Sequence, residues 1–247
     1  DLTGTDIYRP QEGTFEFRKG PLFHNLILAD EINRAPAKVQ SALLEAMEER
    51  QISVGDKSYP LDDLFLVMAT QNPIEQEGTY PLPEAQLDRF LLHAQVGYPN
   101  AEQERSILVL NREEAKANKR DAFQPPELLS VASVMQARQE ILRLHLADEL
   151  EEYIVNIVLA TRNAGAVDDS LEGQILYGAS PRASIGIDRA ARARAWLAGR
   201  DYVGPEDIQD VTADVLRHRL VLSFEAEADG VDANSVIDRI LDGVGVP

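Results

Sequence analysis

Asp30-Glu31 closes the apolar run Leu26-Ile27-Leu28-Ala29, so two carboxylates emerge together from what reads as a buried strand. An aspartate in that place can hold Mg²⁺, usually through water, and a glutamate beside it can polarise a water for attack on a γ-phosphate. Taken alone, four apolar residues and two acids fit better a charge at a helix N-terminus. Asn72 follows the next apolar run, Phe65-Leu66-Val67-Met68-Ala69-Thr70, in Gln71-Asn72-Pro73. At the same sheet edge its amide can orient an attacking water, although an asparagine before proline also makes a local turn. Arg89, in Gln86-Leu87-Asp88-Arg89-Phe90, ends a short predicted helix, where a surface ion pair is the plainer role. Arg182 follows Ser180-Pro181, a capping serine and a proline preset for the first helical turn, which place it at a helix N-terminus.

The elements that position these residues follow from periodicity. Thr14-Phe15-Glu16-Phe17-Arg18 alternates as a strand after the turn residues Pro10-Gln11-Glu12-Gly13, so a hairpin opens the chain. Leu26–Ala29 has the unbroken apolar character of a parallel strand covered on both faces. From Pro36 the period changes, with Val39, Leu43 and Met47 on one helical face. Ile52-Ser53-Val54 and Ser58-Tyr59 flank Gly55-Asp56-Lys57 as a second hairpin, and Phe65–Thr70 is another buried strand. Two apolar strands separated by a helix imply an α/β sheet. Beyond Pro99 the chain reads as helices at about 101–117, 127–145, 148–163, 181–198, 205–218 and 232–242, broken at Pro125-Pro126, Gly165, Gly204-Pro205 and Gly230.

The 247 residues carry 24 Lys+Arg against 42 Asp+Glu, a net charge of −18 that repels nucleic acid, and Arg189, Arg192 and Arg194 read as a solvated helix face. Without cysteine there is neither a disulfide nor a thiolate metal site, and His24, His93, His145 and His218 lack ligand spacing and are assigned to packing or surface. No apolar run of bilayer length and no signal peptide is seen, which leads us to expect a cytoplasmic protein with no integral membrane segment.

The order of these motifs, joined by Asn33-Arg34-Ala35-Pro36-Ala37-Lys38-Val39-Gln40-Ser41-Ala42-Leu43-Leu44-Glu45-Ala46-Met47, resembles the MoxR family of AAA+ ATPases. The resemblance covers almost all of the chain. It implies a partial P-loop-type parallel-sheet core over residues 1–98 and an all-α lid over 99–247. It also implies that Asp30 and Glu31 are the Walker B pair, holding the metal and acting on water, that Asn72 is sensor 1, Arg89 the arginine finger and Arg182 the nucleotide-contacting sensor 2. ATP and Mg²⁺ are the implied cofactors. The implied assembly is a homo-oligomer, a hexameric ring, which couples ATP hydrolysis to chaperone-like remodelling or maturation of partner proteins, a von Willebrand A domain protein among them. The hairpin around Thr3–Phe17 resembles the family's insert in its second helix, and Ile52–Tyr59 its hairpin before sensor 1. An ATPase subunit of a magnesium chelatase shares these inserts and is the nearest alternative. A non-catalytic scaffold on a dead nucleotide fold is a second, and a DNA-remodelling motor a third that the charge disfavours.

One departure stands out: the sequence has no Gly-x-x-x-x-Gly-Lys-Ser/Thr and no Gly-Lys dipeptide. In the family that loop lies N-terminal to the point where this chain begins, and we expect it in a segment preceding Asp1. Its backbone N–H groups and lysine are the main cradle of the β- and γ-phosphates, so ATP hydrolysis is expected only when the loop is present. The 247 residues alone should therefore bind ATP·Mg²⁺ poorly. Calorimetry should show no tight site, and micromolar binding would mean that other groups hold the phosphates.

Overall fold

In the computed structural model, which describes residues 2–55, 57–72, 78–80, 82–116 and 128–247, the chain opens with an antiparallel ribbon of β1 (Gly4–Arg9) and β2 (Thr14–Lys19). Arg9 pairs with Thr14, leaving Pro10-Gln11-Glu12-Gly13 as the loop, and Gly13 makes its left-handed step at φ 63°. Next come β3 (Leu26–Ala29), α1 (Ala37–Glu49), and a second ribbon of β4 (Gln51–Val54) and β5 (Lys57–Pro60). Val54 pairs with Lys57 across a two-residue turn, whose first residue, Gly55, has φ 58°; the second, Asp56, lies outside the described residues. The two ribbons meet through Phe17 stacked on Tyr59, ring centres 5.0 Å apart.

β6 (Leu66–Ala69) then returns to lie parallel to β3, in register from Leu26 opposite Leu66 to Ala29 opposite Ala69. Ile27, Ile32, Leu43, Ala46, Ile52 and Phe65 close one core around this pair, with Leu22 and Leu82. Buried Gln40 of α1 ties the core's loops together, its amide donating to Ile32 O at 3.2 Å and Tyr80 O at 3.0 Å. Among the described residues the parallel pair is covered on the Ile27 side only. On the other side Leu26, Leu28, Leu66 and Met68 are each more than half exposed, which departs from the expectation of a strand covered on both faces: α1 packs under Ile27, and none of the described residues buries the opposite face.

The rest of the described chain is mostly helical, with one short ribbon. After α2 (Glu84–Leu87) come α3 (Ala101–Lys116), wholly on the surface, and α4 (Val131–Ile141). Pro125-Pro126 and the first residue of the helix expected at 127–145 lie outside the described residues; the helix starts at Val131 because the Ser130 hydroxyl caps Ser133 N–H. α5 (Asp148–Ala160), β7 (Ile175–Tyr177), α6 (Pro181–Leu197), α7 (Pro205–Leu216), β8 (Val221–Leu222), α8 (Phe224–Ala228) and α9 (Ala233–Gly243) complete it, β7 pairing with β8. Ile154, Ile157, Ile187, Ile208, Val215, Leu216, Ile237 and Ile240 fill its core. Small residues on α6, among them Ala183, Gly186 and Ala191, allow α7 to approach closely: a β-carbon on Gly186 would stand 3.0 Å from Val215 Cγ1. The α6 arginines are less uniformly solvated than expected. Arg194 pairs with Asp210, whereas Arg192 is mostly covered, bonding Asp188 at 2.7 Å and the Leu144 carbonyl. Among the described residues no helix is long and apolar enough to cross a membrane.

The strand-to-helix passage before α6 is laid on the end of α5. Ala179 N–H donates to Thr161 Oγ1 at 3.0 Å, and Arg162 Nε to Ala179 O at 3.0 Å. Gly178 sits so close that an added β-carbon would lie 2.5 Å from Thr161 O, against backbone that has no room to move. Gly178→Ala should accordingly cost about 1–3 kcal/mol and lower the thermal midpoint by several degrees. Gly245→Ala, facing open space, should leave it unchanged; calorimetric melts compare the two.

Candidate functional site

At the C-terminal edge of the parallel pair the chain is fastened by one threonine. Thr70 N–H donates to Ala29 O at 3.0 Å, and Ile32 N–H to Thr70 O at 3.0 Å, extending the ladder past the strands. The Thr70 hydroxyl donates to Asp30 Oδ1 at 2.6 Å and accepts from Glu31 N–H at 2.9 Å. One side chain thus fixes the aspartate's carboxylate and the glutamate's backbone together. Glu31 is held in the left-handed region, φ 49° and ψ 52°, a strained place for a residue with a side chain, and its carboxylate lies 3.5 Å from Arg34 Nε. Asn72 stands two residues beyond Thr70, half-buried; Pro73, which follows it, lies outside the described residues.

Two adjacent carboxylates, one anchored and one on a strained turn, suit a Mg²⁺ ion, which takes one or two protein carboxylates and completes its shell with water and phosphate oxygens. Among the described residues no group of three or more His, Cys, Asp or Glu could hold an ion by itself. Of the two carboxylates, that of Asp30 is the one anchored by Thr70 and that of Glu31 the one carried on the strained turn.

Arg89 and Arg182 do not join this edge. Both meet at Glu48, near the end of α1: Arg89 Nη2 is 2.5 Å from Glu48 Oε2, and Arg182 Nη2 2.7 Å from Glu48 Oε1. Glu48 is eight residues beyond Gln40, the residue that bonds Ile32 O, so the arginines lie about 12 Å further along the helix axis from the acid edge. Arg182 also reaches Asp88 Oδ2 at 3.2 Å, and Ser180, while capping α6, donates its hydroxyl to both Asp88 oxygens at 3.0 and 2.9 Å. Burial alone would raise the Asp88 carboxyl, but the bonds from Ser180, Arg182 and Arg219 and the Arg219 charge hold it below the usual carboxylate range.

The segment following α2 is then stitched to the lid by three consecutive basic residues beyond α7. Arg217 donates to His93 O and pairs with Asp214, whose carbonyl accepts from His93 N–H at 2.8 Å. His218 Nε2 lies 3.0 Å from Phe90 O, and Arg219 bonds Asp88, Phe90 and Leu91. Desolvation, followed by the Arg219 charge, pushes the buried His218 imidazole down to about 4, so it stays neutral near pH 7. His218 is thus a packing residue, as expected from its lack of ligand spacing.

Thr70, Glu48, Asp88 and Arg219 were not singled out from the sequence. Some signals were present. Glu48 is an acid in the last turn of a helix, where the macrodipole disfavours it. Arg217-His218-Arg219 sits between buried Leu216 and Leu220, an apolar frame unsuited to a solvated charge run. Nothing local marks the Thr70 hydroxyl, whose partners are 39 and 40 residues away.

Residues 1–92 match the family model described as "ATPase family associated with various cellular activities (AAA)", and residues 171–240 that of the AAA lid domain. The chain is similar over its whole length to Chaperone MoxR1 of Mycobacterium tuberculosis, at 47% identity and 64% of that protein's length. It is also similar to Protein MoxR of Paracoccus denitrificans, at 32% identity and 77% of its length. A crystal structure of a Cytophaga hutchinsonii protein described as an ATPase superposes with TM-score 0.90 at 48% identity, all of this chain matching 74% of that one. A chloroplastic magnesium-chelatase subunit of Arabidopsis thaliana is more distant, at 29% identity over 85% of the chain and 47% of the subunit.

The His218 shift has a consequence for stability. The unfolded chain takes up this proton near 6.5 and the folded chain only near 4, so stability is full above 6.5 and falls as the pH drops through that window, by roughly 3 kcal/mol in all. Between about pH 7.5 and 5.5 the thermal midpoint should fall by about 3–5 °C more in the native chain than in His218→Gln. Equal falls in the two melts would show that His218 is not the group responsible.

Proposed function

This chain belongs to the MoxR family of AAA+ ATPases, and from that premise we propose that it supplies the hydrolytic half of an ATP·Mg²⁺ site, completed in a ring of identical subunits by the arginines of a neighbour. ATP hydrolysis and oligomeric assembly are general properties of AAA+ proteins. The observation that carries the reading is the fastening of Asp30 and Glu31 by one Thr70 hydroxyl, because it holds the Asp30 carboxylate and the Glu31 backbone in fixed relation at the sheet edge.

In this reading Mg²⁺ supplies charge neutralisation on the β- and γ-phosphates. Asp30 holds its hydration shell, Glu31 takes a proton from the attacking water, and Asn72 orients that water. Arg89 and Arg182 sit at the far end of α1 from their own acid edge, which supports their acting together on the nucleotide of an adjacent subunit. Their shared partner Glu48 keeps the pair together until a phosphate takes its place. The division at residues 98 and 99 belongs to the same proposal, with the core carrying Arg89 and the lid Arg182.

Hydrolysis then serves chaperone-like remodelling or maturation of partner proteins, with a hexameric ring and a von Willebrand A domain partner as the specific form; the name of the Mycobacterium relative supports the chaperone reading. The magnesium-chelatase alternative is weakened by the lower identity and coverage of that match.

The test joins this chain to the phosphate-binding segment that precedes these motifs in the family. Glu31→Gln should keep nucleotide affinity and lose turnover, while Asp30→Asn should weaken Mg²⁺-dependent binding. Unchanged turnover in Glu31→Gln would remove it from the mechanism. Arg89→Ala should lower turnover by about 10³–10⁵, far beyond the loss of a surface ion pair. Subunits bearing Arg89→Ala and subunits bearing Glu31→Gln should each be nearly inactive, yet regain activity when mixed rings bring an intact Glu31 against an intact Arg89. A normal rate in Arg89→Ala, or no recovery in rings shown to be mixed, would exclude the between-subunit role.

A further inference from the structure

We propose that Arg219 is a positioning residue for Arg89, holding the backbone on either side of it so that Arg89 is presented to the adjacent subunit at a fixed place. The proposal rests on the reading of Arg89 given above and extends it to a residue of the other half of the chain.

The Arg219 side chain is only 3% exposed, and its guanidinium is filled to capacity. Nε donates to Asp88 Oδ1 at 3.0 Å; Nη2 donates to Asp88 O at 3.0 Å and Phe90 O at 2.7 Å; Nη1 donates to Leu91 O at 3.2 Å and to Val215 O. These five oxygen acceptors equal in number the five N–H groups an arginine has, and His218 Nε2 lies a further 2.9 Å from Nη1. Two of them, Asp88 O and Phe90 O, flank Arg89 and are gripped by a single nitrogen. From the other side Arg89 N–H bonds Gln86 O at 3.2 Å and Phe90 N–H bonds Leu87 O at 3.0 Å. The Arg89 backbone is thereby clamped between the end of α2 and the Arg219 fork.

The same guanidinium also sets Arg182. Its Nε holds Asp88 Oδ1, and that carboxylate in turn accepts from Ser180 and Arg182 at the start of α6. A guanidinium so buried is an expensive way merely to join two halves of a chain, since well-packed apolar residues do that as well or better. What apolar packing lacks is direction. Five hydrogen bonds of fixed geometry hold a loop in one register, and an error of about 1 Å at a reacting group can cost on the order of 100-fold in rate. Lysine cannot substitute, because its ammonium is a point charge with three donors and no fork.

In rings carrying the phosphate-binding segment, Arg219→Lys should therefore lower kcat by about 10–100-fold while KM for ATP changes by less than about twofold. Asp88→Asn, which keeps the backbone bonds but loosens the carboxylate's grip on both arginines, should show the same split more mildly, and it carries the test if Arg219→Lys does not fold. The deciding measurement is complementation. An Arg219→Lys subunit retains its own Asp30 and Glu31, so mixing it with Glu31→Gln subunits, whose Arg89 is held normally, should restore turnover as fully as mixing Arg89→Ala with Glu31→Gln. If the Arg89→Ala pair is restored and neither Arg219→Lys nor Asp88→Asn is, the positioning role falls and Arg89 stands. If the Arg89→Ala pair itself is not restored in rings shown to be mixed, both fall. A rise in KM with kcat unchanged in either variant would also overturn the proposal.

Discussion

The carboxylate of Asp88 lies where the two halves of the chain meet, and it joins the start of α6 to the residues that follow α7. Removing a carboxylate from water is costly, and here the cost is offset by Ser180, Arg182 and Arg219, which together satisfy both oxygens. Such an arrangement adds little net stability over apolar packing, but losing one partner strands a charge at a cost of about 3–5 kcal/mol. It therefore acts as a specifier of geometry. The start of α6, the turn after α2 and the end of α7 have one mutual arrangement that leaves no charge alone.

The α1 helix separates two chemistries. At its beginning, Gln40 and the Ile32 carbonyl sit beneath the acid edge with its strained Glu31; at its end, Glu48 gathers Arg89 and Arg182. Opposite charges that would complement each other on a triphosphate are thus kept apart within one chain. In the proposed ring of identical subunits the end of one helix would face the beginning of the next and supply the missing juxtaposition, and this is the physical content of the proposal that the site is shared.

Motifs at the ends of elements were legible in the sequence because each depends on local grammar. An apolar run ending in acids, a serine and proline opening a helix, and a glycine closing a turn all read without knowledge of the fold, and β3, β6, α1 and α6 lie where they were expected. What stayed hidden are the residues whose roles arise from distant partners. Thr70 looks like an ordinary strand residue until Asp30 and Glu31 are brought beside it, and Arg219 looks like part of a basic triplet until the carbonyls of residues 88–91 converge on it. Sequence periodicity also could not tell that Leu26, Leu28, Leu66 and Met68 face outward here, because an apolar run records what a strand can bury and not which neighbours are present.

α6 makes the arrangement mechanical. Its 17 residues span about 25 Å of rigid rod. At the N-terminus the rod is tied by Ser180 and Arg182; along its length small residues seat it closely on α7. A tilt of about 5° imposed at the tied end carries the far end through about 2 Å, since displacement grows with the length of the rod. Trp196 and Arg194 are at that far end, bonded to Glu140 on α4 and Asp210 on α7. A tilt of α6 that followed a change in what the Arg182 guanidinium holds would thus be geared up, with no further chemistry, at the lid's outer surface.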